Sequence, residues 1–120
     1  MDTESDAMAA VIVHGLQEKK GINIVTIDLR GLKSAFADFF VICHGGSNRQ
    51  IDALADSVEE EMRKALKEKP KHREGSDVSE WILLDYYNVI VHIFSEEKRD
   101  FYALEELWGD GIVKKYEELK

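Results

Sequence analysis

Read for its alternation of apolar and polar positions, the chain is most strongly patterned between Trp81 and Phe94, WILLDYYNVIVHIF. Two apolar runs, Trp81–Leu84 and Val89–Phe94, flank a polar connection of Asp85, Tyr86, Tyr87 and Asn88, which predicts a β-hairpin. Upstream, Met8, Val11, Ile12 and Leu16 recur at steps of three and four, so an amphipathic helix is expected over Ser5–Lys20 with Gly21 as its stop. Ile22–Leu29 has strand composition, and the following RGLKSAFA interrupts both periodicities as a loop would. Phe39–His44 is almost continuously apolar, as an inner strand covered on both faces should be.

Ser47 stands at an N-cap position with Gln50 three residues on, the spacing of a capping box. Ile51, Leu54, Ala55, Val58, Met62, Ala65 and Leu66 then form the expected buried stripe of a long helix, with Glu59–Arg63 and Glu60–Lys64 at i,i+4 outside. Pro70 bounds this helix, and KPKHREGSD leaves room for one short edge strand. After the hairpin, Ser95 and two acids mark a further helix start, with Phe101, Leu104, Leu107 and Trp108 as its inner face. Gly109 and Gly111 break it, and the charged tail after them reads as a frayed helical turn, so residues 1–4 and 111–120 are expected to be flexible ends. The order of elements predicts an α/β fold: a single domain with a mixed β-sheet flanked by helices.

Composition narrows the function classes. A chain of 120 residues makes one domain with a real core, and 44% hydrophobic with 33% charged residues is the balance of an ordinary globule. No apolar run reaches the roughly 20 residues that span a bilayer, and MDTESDAM lacks a basic signal-peptide start, so a cytoplasmic protein is expected. Cys43 is the single cysteine and lies inside FFVICH, which predicts a buried, unreactive thiol. A net charge of −8 disfavours direct nucleic-acid binding and suits either a basic protein partner or a charge that simply keeps the protein soluble.

Candidate chemistry is sparse. The Gly45-Gly46-Ser47 turn joins a strand to a helix N-terminus, where backbone donors could cradle a phosphate, as in nucleotidyltransferases. Such enzymes also need paired acids for magnesium, and no Asp-x-Asp follows; a nucleotidyltransferase-like or nucleotide-binding role for this turn is the alternative to plain helix capping. His14, His44, His72 and His92 are scattered without metal-ligand spacing, and His92 shares a strand face with Ile90 and Phe94, as a buried neutral histidine would. Trp81, Tyr86, Tyr87, Phe101, Tyr102 and Trp108 crowd into 28 residues. Phe101 and Trp108 are expected in the core, whereas the turn tyrosines and Tyr102, beside Glu105 and Glu106, suit an exposed interface with acids around it.

Three ordered blocks, ADFFVICHGGSNRQ (Ala37–Gln50), EWILLDYYNVIVHIF (Glu80–Phe94) and RDFYALEELWGD (Arg99–Asp110), resemble the ribosomal silencing factor family, also called the Iojap family. The resemblance implies a fold like that of nucleotidyltransferases without the catalytic acids, and hence no catalysis and no cofactor. It further implies binding to the large ribosomal subunit through ribosomal protein uL14, a basic protein on the intersubunit face, which blocks joining of the small subunit and lowers translation when nutrients are scarce. Neither a membrane nor direct nucleic-acid contact is expected. Carried over as contact candidates are Trp81, Asp85, Arg99, Tyr102 and Glu105. Where the family usually has glycine then aspartate in the hairpin turn, this chain has Tyr87 and Asn88. A homodimer whose exposed aromatics face each other is a rival use of the same surface.

Overall fold

A computed structural model describes residues 3–75 and 80–117. The elements in order are α1 (Glu4–Glu18), β1 (Ile22–Asp28), β2 (Phe39–Gly45), α2 (Asn48–Leu66), β3 (His72–Glu74), β4 (Trp81–Asp85), β5 (Val89–Ser95), α3 (Glu96–Tyr102), α4 (Leu104–Leu107) and β6 (Ile112–Lys115). The strands form one six-stranded sheet in the order β3-β4-β5-β2-β1-β6. Only the central pair β2 and β5 is parallel, so the sheet is mixed, and the fold is the expected single α/β domain. Every residue of β2 is buried, as its unbroken apolar run requires.

The sheet's two faces are covered unequally. On one side Met8, Ile12 and Leu16 of α1 and Ile51, Leu54, Val58 and Met62 of α2 pack on Val41, Cys43, Ile82, Val91 and Ile93. The two helices meet closely at Gly15, whose carbonyl accepts the Ser57 hydroxyl at 2.7 Å. On the other side Ile27, Phe40, Ile42, Ile90 and Phe94 are covered by shorter pieces: the loop carrying Leu32 and Ala35, and the segment carrying Leu104 and Trp108.

Local chemistry explains the boundaries. Thr3 caps α1 in a reciprocal box with Asp6. Arg30 then forks onto Asp6 and Asp28 at 2.8–3.2 Å, tying the start of α1 to the end of β1 and holding the Asp6 carboxyl down to about 2. Ser47 caps α2, its hydroxyl accepting the Gln50 N–H at 3.1 Å. The Gln50 side chain overshoots the box, accepting from Gly46 N–H at 2.7 Å and donating to the Lys19 and Lys20 carbonyls, so it closes the end of α1 as well. On the outside of α2 the pairs form at i,i+3, Glu60–Arg63 and Glu61–Lys64, because Glu59 instead reaches Arg73 on β3. Ala65 lies past the sheet and is exposed. The short edge strand expected in KPKHREGSD is β3, paired with β4.

Two expectations fail. The segment after Gly111 is neither helical nor loose: Ile112–Lys115 pairs antiparallel with Val25–Asp28 as the sheet's far edge. Thr3 and Glu4, also expected loose, are the cap and first residue of α1, and the Tyr116 N–H donates to the Ile24 carbonyl at 2.9 Å, while residues 1–2 and 118–120 of the expected flexible ends lie outside the described residues. Tyr86, expected at the exposed turn, is buried on the α1 and α2 side of the sheet, because strand alternation continues through it. Tyr87 takes the exposed turn position at φ 74°, the left-handed conformation a glycine adopts without penalty, held by its N–H donating to Asp85 Oδ1 at 2.7 Å.

A Cβ added at Gly15 would sit 3.1 Å from Val58 Cα and 3.3 Å from the Ser57 carbonyl oxygen. Gly15→Ala should therefore force α1 off α2 and cost about 1–3 kcal/mol in urea unfolding, despite alanine's better helix propensity.

Candidate docking surface

The thinly covered face of the sheet carries most of the sequence-predicted site residues. Trp81, Leu83 and Asp85 alternate outward along β4, and Ile90, His92 and Phe94 do so along β5. Trp81 lies opposite Phe94 in the hairpin register and stacks on it, ring centroids 5.1 Å apart. Ser95 ends β5 and caps α3, its hydroxyl accepting the Lys98 N–H at 3.2 Å. This short helix brings Tyr102 back over Trp81 at a centroid distance of 4.5 Å.

The helix then stops where sequence periodicity predicts continuation. Ala103 adopts φ 47° and ψ 48°, breaking the expected single helix into α3 and the one-turn α4. Leu107, beyond the break, is 71% exposed, and Phe101, on the outer side of α3 before it, is 76% exposed, although both were expected inside. Trp108 keeps its place, packing edge-on against Phe40 at 5.6 Å and against Phe36 at 6.4 Å.

Arg99 explains why the break is stable. Although it was a candidate contact residue, its side chain is buried beneath the segment, and its guanidinium is fully engaged. Nε and Nη2 donate to the two oxygens of Glu105 at 3.0 and 3.2 Å, and Nη1 reaches the Ile22 carbonyl at 3.2 Å and His44 Nδ1 at 3.0 Å. One bidentate ion pair thus spans Ala103 and fastens both short helices to β1 and β2. Burial, and then the Arg99 charge, hold the His44 ring below its ordinary pKa, in the neutral form that can accept from Arg99.

The five candidate residues therefore separate. Trp81 and Tyr102 form one tilted ring pair, and Arg99 and Glu105 form one ion pair, in which Arg99 supports the surface rather than presenting itself on it. Asp85 shares the face of Trp81 but stands about 13 Å along the strand and is engaged by the turn. Sequence reasoning missed Phe36, 69% exposed, and Leu107 as surface rings and chains. Phe36 sits alone among small residues in a loop, where no periodicity marks it. The result is a rim of exposed apolar groups, Tyr102, Phe101, Leu107 and Phe36, interleaved with exposed acids such as Asp100 and Glu106.

Other sites offer less. Gly46 N–H and the Ser47 hydroxyl are used by Gln50, so the glycine-serine turn spends these groups on capping. Among the described residues no cluster of histidine, cysteine and carboxylate side chains could hold a metal ion, and no helix is long and apolar enough to cross a membrane. Cys43 is buried and its thiol is pushed up to about 12 by desolvation.

Comparison with known proteins decides the family. The profile of the family described as "Ribosomal silencing factor during starvation" matches residues 2–120. The chain belongs to the ribosomal silencing factor family. It is 39% identical over 102 residues to "Ribosomal silencing factor RsfS" of Halalkalibacterium halodurans, covering 82% of this chain and 83% of that one. It is 38% identical over 94 residues to the protein of the same name from Bacillus subtilis, covering 78% of each. A crystal structure of a Chromobacterium violaceum protein superposes with a TM-score of 0.83 at 33% identity, covering 89% of this chain and 88% of that one. The name shared by these silencing factor relatives is regulatory rather than enzymatic.

Two measurements test this geometry. Arg99→Ala should destabilise the fold by about 2–4 kcal/mol in urea, since it strands Glu105 and a buried carbonyl, and Arg99→Lys should recover little because a lysine cannot bridge both carboxylate oxygens. His92, whose pKa burial lowers from 6.5 to about 4, is bound neutral in the folded state. The unfolded chain takes up that proton first, so the His92 contribution is complete above pH 6.5 and is lost as pH falls toward 4. The loss amounts to about 3 kcal/mol at most, and a urea titration over this range should be flatter for His92→Phe.

Proposed function

We propose that the chain is a non-enzymatic anti-association factor of the cytoplasm that docks on ribosomal protein uL14 of the large subunit and sterically prevents the small subunit from joining, repressing translation. The observation that carries this reading is the packing of Tyr102 over Trp81, ring centroids 4.5 Å apart, extended by Phe101, Leu107 and Phe36, on a sheet face that lacks long covering helices. Exposed rings supply the anchor area of an interface, and carboxylates around them steer a basic partner. The chain's net charge of −8 and its family membership point the same way. Within this reading Trp81 and Tyr102 are the anchors, Asp85 is an acid at the far end of the same strand, and Arg99 with Glu105 holds the anchor segment in shape. A homodimer burying the same rings would compete with the ribosome for them.

The purified chain should co-sediment with isolated large subunits, more weakly as salt rises, and should inhibit subunit joining. Tyr102→Ala should speed dissociation about tenfold or more. Because Glu105 is committed to Arg99, Glu106→Lys is the cleaner test of steering and should slow association with little effect on dissociation. A chain that stays off large subunits at low salt, or that binds them while leaving subunit joining untouched, would overturn the proposal.

A further inference from the structure

His92 is a costly residue for its place. It lies on β5 with Leu83 and Ile42 as its cross-strand neighbours, in a layer that also holds Phe40 and Phe94. Its Nδ1 accepts the indole N–H of Trp81 at 3.2 Å, which leaves the ring's proton on Nε2, and that atom is buried with no partner among the described residues. A phenylalanine would fill the same space and make the same ring contacts, edge-on to Phe40 at 4.9 Å and stacked on Phe94 at 6.0 Å, without burying an unsatisfied polar atom.

The hydrogen bond does something that stacking cannot. The stack on Phe94 and the tilted contact with Tyr102 fix the plane of the Trp81 ring but are nearly indifferent to a half-turn of the indole that preserves it, because both edges present aromatic surface. The N–H to Nδ1 contact distinguishes the two, since only one orientation places the donor over His92. The register makes this possible: Trp81 pairs with Phe94, so His92 is its diagonal neighbour across the strands, within reach of a long side chain. Burial keeps the imidazole neutral down to about 4, so its acceptor stays available at ordinary cellular pH.

We propose that His92 is a positioning residue for docking: by accepting the Trp81 indole N–H it selects one orientation of the ring beneath Tyr102, and so sets the shape of the anchor presented to the basic partner. The inference rests on the docking function proposed above and adds to it a buried residue that touches no partner. It predicts that the effect of His92 on binding passes entirely through Trp81.

The test is a double-mutant cycle of His92→Phe and Trp81→Phe, with binding to isolated large subunits as one readout and the Trp81 indole 1H–15N resonance as the other. His92→Phe should melt at or above the wild-type temperature. Its Trp81 indole proton should move upfield and exchange faster with water, and its Kd for large subunits should rise about three- to tenfold, as expected for one lost hydrogen bond. His92→Asn, whose side-chain oxygen falls where Nδ1 was, should restore part of the affinity and of the indole shift. In the Trp81→Phe background, His92→Phe should change Kd less than about twofold. If His92→Phe does not fold, His92→Leu removes the acceptor without adding ring volume and takes its place in the cycle. An unchanged Kd for His92→Phe alongside a weakened Trp81→Phe overturns the inference and leaves docking through Trp81 standing, as does an equal loss in both backgrounds. Absence of binding by the wild type, or an unweakened Trp81→Phe, removes the docking role of Trp81 and this inference together.

Discussion

Arg99 makes four hydrogen bonds from beneath the aromatic segment, two to Glu105 and one each to the Ile22 carbonyl and the His44 ring. Seven residues of α3 and four of α4 are too short to be stable helices by themselves, since helix nucleation is unfavourable and propagation has no length in which to recover it. Their shape is therefore held by tertiary contacts, with Arg99 fastening both sides of the Ala103 break to the ends of β1 and β2. Once that clamp is closed, Tyr102 lies on Trp81, Trp108 lies on Phe40, and Phe101 and Leu107 are turned out to solvent. The presented surface is a consequence of one ion pair, between a buried arginine and a half-buried glutamate.

The unequal covering of the sheet gives that surface its meaning. On the α1 and α2 side, two long helices bury their stripes and leave charged residues outside, as a stable core layer should. On the other side, a loop and two short helical pieces cover the same sheet incompletely, and aromatic rings bridge the gap from Tyr102 through Trp81, Phe94, His92 and Phe40 to Trp108. Rings joined edge to face and by offset stacks transmit position because their packing has few alternatives. The same layer thus serves as the second half of the core, and within the proposed function it is also the floor of the docking interface.

The elements set by local periodicity were readable before any coordinates. The hairpin, both long helices, the buried β2 and the short edge β3 follow from apolar spacing and from Gly, Ser and Pro at the boundaries. What failed were features decided by distant contacts. β6 was missed because Ile112 and Val113 are followed at once by two lysines, and only pairing with Val25–Asp28 gives the segment its strand form. The helix break was missed because Ala103 is a strong helix former, and its left-handed conformation is imposed by what Arg99 does to the residues around it. For the surface, Tyr87 and Tyr102 were readable as rings hard to bury, and both are exposed, whereas Trp81 and Arg99 entered as contact candidates only through the family resemblance. Nothing local to Arg99 announces a carbonyl and a histidine waiting 77 and 55 residues away.

If the chain docks as proposed, the Trp81–Tyr102 face, and no other, meets the large subunit. Hydroxyl-radical footprinting of the chain alone and with isolated large subunits reads this directly, side chain by side chain. Oxidation of Trp81, Phe101 and Tyr102 should fall on adding large subunits while His14, half-exposed on the outer side of α1, stays as reactive as before. Protection of His14 and of the outer side of α2, with the three rings unchanged, would contradict it.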